Sequence, residues 1–496
     1  MGPILDQRGV EQGGPNSSDQ YKLYNNEQFR TAQDSLLGVN IGPFWISSIG
    51  QADDSVLLSS DIHQLSNLLQ LTMQYCHKYK VVMTPEKTKL QVFSPPSINN
   101  DVRYFKAINY LAINGVPLAF TDSTEHVGII RSPGCGNTPH ILKRITSHKN
   151  ALNGVLSAGL SRSFRGNPAA SLQVEKLYAL PVLLSGLGSL HLLESETKIL
   201  SQHYKETLEA LQKLYQLTPE PVIFFLAGSL PLPAHLHIRQ LTIFAMICRL
   251  PENILHNFAK FVLTNLPDSC PSWFKSIKTL CFQYNLPHPL LLLQTPPVKA
   301  IFSNRVKLNV QDYWQTKLRN EAEKLETKSL KFFKPKFMSL TKPHPLWTTC
   351  GSNIYELNKA CVQAKYLLGR FRTDTLLAHF NKENLPFCPL HPEDDQVVGD
   401  LPHHLVHCSA LSSHREKIFK YWKDITEDFP VCQTILTNTI SANEDDFLQM
   451  VLDCSTIAEV IKAANTHAEP VLETIFRATR TYCYSMYRMR RKLLDQ

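Results

Sequence analysis

No stretch of this chain is apolar for long enough to cross a bilayer. Its hydrophobic runs are short or broken by proline and polar residues, as in Phe224-Phe-Leu-Ala-Gly-Ser-Leu-Pro231. A membrane-spanning helix takes about 20 apolar residues, so no membrane partner is expected, and that run reads as a buried helix end. The first residues lack the basic segment and apolar core of a secretory signal. The 12 cysteines are scattered, without the dense regular spacing of a disulfide scaffold. That pattern fits a reducing, intracellular setting, nucleus or cytoplasm, with metal binding at one cluster. No internal repeat suggests a solenoid or propeller. What the chain does have is bulk and positive charge. Its 496 residues suffice for several domains, and 43% hydrophobic content suffices for a substantial core. A net charge of +8 and a pI near 8.8 suit a polyanionic partner, loosely.

The segment Ile49-Gly-Gln-Ala-Asp-Asp-Ser-Val-Leu-Leu58 places Asp53 and Asp54 between apolar runs, with Gly42-Pro-Phe-Trp-Ile46 ahead. The pattern predicts a strand, a tight turn and a second strand, with the acids at the tip. Adjacent carboxylates repel unless a cation lies between them, and oxygen ligands beside a triphosphate are the usual setting for Mg²⁺. A solvated turn has the same composition. Upstream, Gly9, Gln12, Gly13 and Gly14 fall in Arg8-Gly-Val-Glu-Gln-Gly-Gly-Pro15, a loop whose backbone can approach a ligand closely. Downstream, Thr84-Pro-Glu-Lys-Thr88 follows Val81-Val-Met83. Between them Ile62, Leu65, Leu68, Leu69, Met73 and Tyr75 recur at near-helical spacing, predicting a helix over residues 60–79 that packs on the hairpin.

A second constellation lies near residue 390. Cys388-Pro-Leu-His391 is followed by Pro402-His-His-Leu-Val-His-Cys408. Two paired spacings of thiol and imidazole, Cys388 with His391 and His403 with Cys408, suit a tetrahedral Zn²⁺ site. His404 and His407 compete with His403 as ligands, and a histidine-rich surface loop would look similar.

The order of the first three elements resembles the palm of reverse transcriptases from LINE-type, non-LTR retrotransposons, where a G-x-x-Q-G-G-P loop, an x-A-D-D hairpin and an N-P-x-K-T-like element follow one another. Gln51 stands where that family has an aromatic residue, and Thr84 where it has Asn. The Cys-His-His-Cys set resembles the family's downstream zinc-knuckle-like motif, with His391 in place of a second Cys. Tyr366-Leu-Leu-Gly-Arg-Phe-Arg-Thr-Asp-Thr-Leu-Leu377, with Arg370 and Arg372, resembles the helix that precedes it.

The resemblance implies an RNA-directed DNA polymerase, a nucleotidyltransferase in which a primer 3′-hydroxyl attacks a nucleotide α-phosphate. Asp53 and Asp54 would be catalytic and hold Mg²⁺. Gly9, Gln12, Gly13, Gly14, Gln51 and Lys87 would line the nucleotide and template site. The implied partners are an RNA template, a DNA primer or target, and deoxynucleoside triphosphates. In the family the first catalytic aspartate lies on a strand before the glycine loop, where this chain has only Met1 to Gln7. The expectation is therefore an N-terminally truncated palm, inactive alone. The alternative is a non-catalytic RNA- or DNA-binding protein using the thumb-like helices and the knuckle.

The expected fold class is α+β: a partial palm with its hairpin, then mostly helical segments and a small zinc-binding module. By order along the chain, residues 1–95 are read as partial palm. Residues 96–210 are read as a primer-grip-like hairpin and thumb-like helices, and 211–350 as a helical connector. Residues 351–420 are read as the knuckle region and 421–496 as a helical tail ending near the basic run Arg488-Met-Arg-Arg-Lys492. The thumb-like stretch gathers Lys143, Arg144, His148, Lys149, Arg162 and Arg165, suited to phosphates or to an ordinary solvated helix face. Lys328, Lys331, Lys334 and Lys336 interleave with Phe332, Phe333 and Phe337. That run is read as exposed lysines over core aromatics in preference to a stacking platform. His235 and His237 are read as packing or surface groups.

Overall fold

The computed structural model describes residues 16–51, 54–93, 111–132, 136–155, 166–216, 218–326, 330–369, 371, 373–381, 384–427, 429–457 and 468–495. Most of them are helical and the strands are few and short, an α+β layout. The chain divides into two units, Met1–Lys143 and Arg144–Gln496. The division falls inside the stretch 96–210.

In the first unit, α1 (Ser17–Asp34) and α2 (Ile62–Tyr79) accompany ten strands: β1 (Val39–Ile41), β2 (Phe44–Ile46), β3 (Ser48–Gln51), β4 (Asp54–Leu57), β5 (Lys89–Leu90), β6 (Ala112–Ile113), β7 (Val116–Pro117), β8 (Ala119–Phe120), β9 (Thr124–His126) and β10 (Ile129–Arg131). Among the described residues these form five two-stranded pairs, four antiparallel and one, β5 with β8, parallel. Asp61 caps α2 by accepting from the Gln64 amide at 2.9 Å, as a short acid before an apolar periodic run should. The expected apolar stripe is real. Ile62, Leu65, Leu69 and Met73 share one core with Leu57 of β4 and with Leu90, Leu111, Ile113 and Leu118. Tyr75 lies apart from that stripe and donates its hydroxyl to Tyr24 O on α1 at 2.9 Å. Gly50 lets α1 approach β3, because a Cβ there would fall 2.1 Å from the Phe29 ring.

The second unit includes α3 (Glu194–Leu211), α4 (Glu220–Ala227), α5 (Leu232–Cys248), α6 (Lys299–Glu326), α7 (Ile354–Leu367), α8 (Asp374–Phe380), α9 (Ser412–Ile425), α10 (Pro430–Ile440), α11 (Glu444–Leu452) and α12 (Ala468–Leu494), with further helices, among them Ile254–Asn265 and Trp273–Gln283, between α5 and α6. The α4 segment is buried from Pro221 to Ala227, which accounts for its apolar run. No single described helix is long and apolar enough to cross a membrane; α4 and α5 together pass that test only as a pair bent by 65°. On α12, Val471, Ile475, Tyr482, Cys483 and Met486 are buried at helical spacing, and this face packs on α7, α9, α10 and α11. Residues 351–420 and 421–496 therefore share one core. Arg480 of α12 is fully buried, and its guanidinium is satisfied by Glu356 at 2.8 Å and by Thr349 Oγ1 and O at 2.9 and 2.7 Å.

α4 stops at Gly228, which has φ +58° and packs against backbone: a Cβ would lie 1.9 Å from the Lys342 carbonyl carbon. Gly228→Ala should therefore destabilise the second unit by more than the ~1 kcal/mol of a left-handed alanine alone, visible as a lower midpoint in urea unfolding. Beneath α12, the buried Asp453 lies 3.3 Å from His344 Nε2. Burial pushes its carboxyl up, but His344 and the Ser455 hydrogen bonds outweigh that and hold it below the usual carboxylate range. A lowered native pKa adds stability above the unfolded value and loses it as pH falls through the native one. Asp453→Asn should flatten the acid side of the stability–pH curve and leave its alkaline side parallel to that of the unmodified protein.

Candidate metal centre

Four side chains from two segments of the second unit converge. The first segment is a small β-turn structure. Cys388 N–H donates to Val397 O at 2.8 Å, Gly399 N–H to Pro386 O at 2.8 Å, and Phe387 bridges Val398. This fixes Cys388, while His391 follows in a turn closed by its own N–H on Cys388 O at 3.3 Å. The second segment starts with Asp400, whose Oδ1 accepts from His403 N–H at 2.8 Å. The chain then makes one π-turn, His403–His407, closed by Cys408 N–H on His403 O at 2.7 Å. In an α-helix, residues five apart point about 140° apart. The wider turn narrows that angle and brings both side chains to one side, in keeping with the habit of π-turns at functional sites.

The donor atoms of Cys388, His391, His403 and Cys408 all lie within 4.8 Å of one another, and all but His391 are buried. Cys408 Sγ is 3.6 Å from His391 Nε2, and the His391 and His403 rings are 4.9 Å apart. His403 Nε2 is buried without a hydrogen-bond partner, a costly state unless something else binds it. The hydrogen bond between the two thiols lowers Cys388 and raises Cys408, with the Arg490 guanidinium lowering Cys388 further against the opposing effect of burial. Two buried thiols beside an unpartnered imidazole are a donor set that fits a metal ion, and the four residues can hold one.

The structure sorts the competing histidines. His404 faces away from the cluster. Its Nε2 is 2.6 Å from Tyr366 Oη, and its ring stacks with Tyr366 and packs on Phe371. Burial, reinforced by Arg490, lowers this imidazole to about 3. His407 is exposed and pairs with Glu444.

Of the other site residues singled out by sequence, the structure describes Gln51, Asp54 and Lys87. Gly9, Gln12, Gly13, Gly14 and Asp53 lie outside the described residues, as do Arg162, Arg165, Lys328, Arg370 and Arg372. β3 and β4 pair antiparallel with Gln51 opposite Asp54, and both residues are exposed. Lys87 is exposed in the turn closed by Lys87 N–H on Thr84 O at 3.2 Å. Among the described residues the Cys388–Cys408 group is the one cluster of three or more metal-donor side chains.

Parts of two basic stretches lie within the described residues. His148 does not belong to a charged surface. It is fully buried, 3.4 Å from Glu175 and 3.0 Å from His203, because its helix turns that position inward. Lys331 and Lys336 are exposed while Phe333 is buried near Phe225, the arrangement expected of lysines over core aromatics. His237 hydrogen-bonds Tyr284 at 2.6 Å and is also a packing group.

The basic run on α12 was singled out by sequence, but the tyrosines and Arg477 on the same face were not. Tyr355 of α7, 52% exposed, lies edge-on to Tyr484 at 6.0 Å. Arg488 sits 6.0 Å over the Tyr484 ring and donates to Tyr355 Oη at 3.1 Å. Arg477, Arg491 and Lys492 are exposed on the same helix. Positions 477, 484, 488 and 491 follow helical spacing, a signal that was available in the sequence.

No protein-family model matches this sequence, and neither does any curated protein. The functional reading therefore rests on the residues themselves. Cys408→Ser should abolish stoichiometric metal uptake, measured by elemental analysis of protein refolded with zinc, whereas His407→Ala should leave it unchanged. Chelator treatment should expose residues 386–408 to protease while far-ultraviolet circular dichroism stays near its starting value, since the helical core is built elsewhere.

Proposed function

We propose that this chain is a zinc-bearing, nucleic-acid-binding protein related to the non-LTR reverse transcriptases. The convergence of Cys388, His391, His403 and Cys408 carries the proposal. Tetrahedral zinc with ordinary bond lengths sets sulfur and nitrogen ligands roughly 3.5 Å apart, and the Cys408–His391 separation is 3.6 Å. Two thiolates and two imidazoles also suit this borderline-soft ion better than they suit Mg²⁺. When bound, the ion would be a structural tie between the β-turn segment and the π-turn, with no open position for chemistry.

A nucleic-acid partner is supported by the net charge of +8 and by the basic-aromatic face of α12. Arginines would meet phosphates, and exposed tyrosine would offer a surface for an unpaired base. The order of the glycine loop, the hairpin and the knuckle along the chain supports the kinship. Binding is favoured over catalysis because the described donors gather at Cys388–Cys408 and not around Asp54.

The test is anisotropy of a labelled single-stranded oligonucleotide from low to physiological salt. Binding should weaken steeply, and Arg488→Ala with Arg491→Ala should reduce the log–log salt slope by roughly 1.4, two phosphate contacts at about 0.7 each. A slope unchanged by that pair removes the face from the proposal. The polymerase reading draws on the antiparallel pairing of β3 and β4, with Gln51 opposite Asp54. Primer extension with Mg²⁺ that disappears in Asp53→Ala would put polymerisation ahead of binding alone.

A further inference from the structure

The basic run near the end of α12 is not uniform. Arg488, Arg491 and Lys492 face solvent, but Arg490 is only 5% exposed. Its Nη1 lies 3.3 Å from Cys388 Sγ, and its Nη2 donates to Asp374 Oδ2 at 2.5 Å. Asp374 opens α8 and is itself only 8% exposed. Space for its carboxylate is made by Gly399: a Cβ there would fall 2.0 Å from Asp374 Oδ2. Gly399 belongs to the β-turn segment that carries Cys388, and its carbonyl accepts from Thr375 N–H at 3.3 Å. Three parts of the chain therefore close on one guanidinium.

We infer that Arg490 is a positioning residue for the metal centre, fixing the Cys388 sulfur by an N–H···S bond while Asp374 fixes Arg490. The inference rests on the metal reading above and extends it to a group that touches a ligand instead of the ion. The chemistry follows from the planar fork of the guanidinium. One edge takes the carboxylate, and the other presents N–H groups at a set angle to the sulfur. An N–H bond to a thiolate withdraws electron density from the sulfur and restrains its rotamer. Groups that hold a ligand in this way commonly contribute 10- to 100-fold to metal affinity. An ion pair serving only to pin α12 to α8 would have the same two charged partners but would leave the sulfur's electronic state unaffected.

The experiment uses the full chain loaded with Co²⁺, whose sulfur-to-cobalt charge-transfer band reports on the thiolates. The double variant Asp374→Asn with Arg490→Gln removes the N–H···S bond without leaving a buried charge unpaired. Its band should move to lower energy, and cobalt release to a competing chelator should quicken by about 10- to 100-fold, with circular dichroism unchanged. Arg490→Lys keeps the pairing with Asp374 but not the fork, and should show the same shift to a smaller degree. It decides the matter should the double variant fail to fold. A folded variant with the original band and release rate overturns the inference and leaves the metal reading standing. Absence of cobalt uptake by the unmodified chain overturns both.

Discussion

Burying two thiols and an imidazole beside a second, half-buried imidazole is expensive unless something satisfies them together, and the knuckle region is organised by that constraint. An unpaired buried polar group costs on the order of 1–3 kcal/mol, and His403 Nε2 has no protein partner at all. Structural zinc in small peptides contributes about 10–16 kcal/mol, the size of a whole domain's net stability. Here most of that energy is not needed to fold the unit, because α12 and its neighbours already bury a large apolar core. An ion bound at the cluster would act on the two segments that supply its ligands, making them a metal-dependent loop on a helical body that folds without it.

α12 is the element through which the parts communicate. Along its length it buries Arg480 against Glu356 and hydrogen-bonds Leu405 O through Tyr482. It also places Arg490 on Asp374 and Cys388. The Tyr482 bond meets the π-turn, and the Arg490 bonds meet the β-turn segment, so both ligand-bearing segments are held by the same helix. The side facing away from Tyr482 and Arg490 carries Tyr484, Arg488 and Arg491. A partner binding there and an ion bound beneath would act on one rigid element with a single sequence of inward and outward positions.

The apolar pattern made much of the fold legible. The stripe Ile62, Leu65, Leu69 and Met73 predicted α2, and Ala52-Asp-Asp between apolar runs predicted two strands that do pair. The four candidate ligands were legible from spacing, and their convergence sets them apart from a histidine-rich surface loop. The choice among His403, His404 and His407 was not legible, because it depends on which side of a π-turn each occupies, and nothing local announces an i+5 closure. The place of Arg490 was not legible for a related reason. A run of basic residues looks solvated until the carboxylate 116 positions away is seen beside it. His148 failed in the same way, its charge type suggesting surface and its helix face dictating burial.

The two candidate sites differ in what they demand of the chain. Asp54 is exposed at a hairpin, where water solvates a carboxylate fully and no fold depends on a cation being nearby. Such a site can persist or be lost without structural consequence, so its geometry says little about present use. Cys388, His403 and Cys408 are buried, where water does not reach and each donor lacking a partner destabilises the fold that encloses it. A loop that keeps these groups converged, with a glycine cleared for Asp374 and an arginine set on the sulfur, is maintained against a standing penalty. That asymmetry is why the metal centre, and not the acidic hairpin, bears the functional argument.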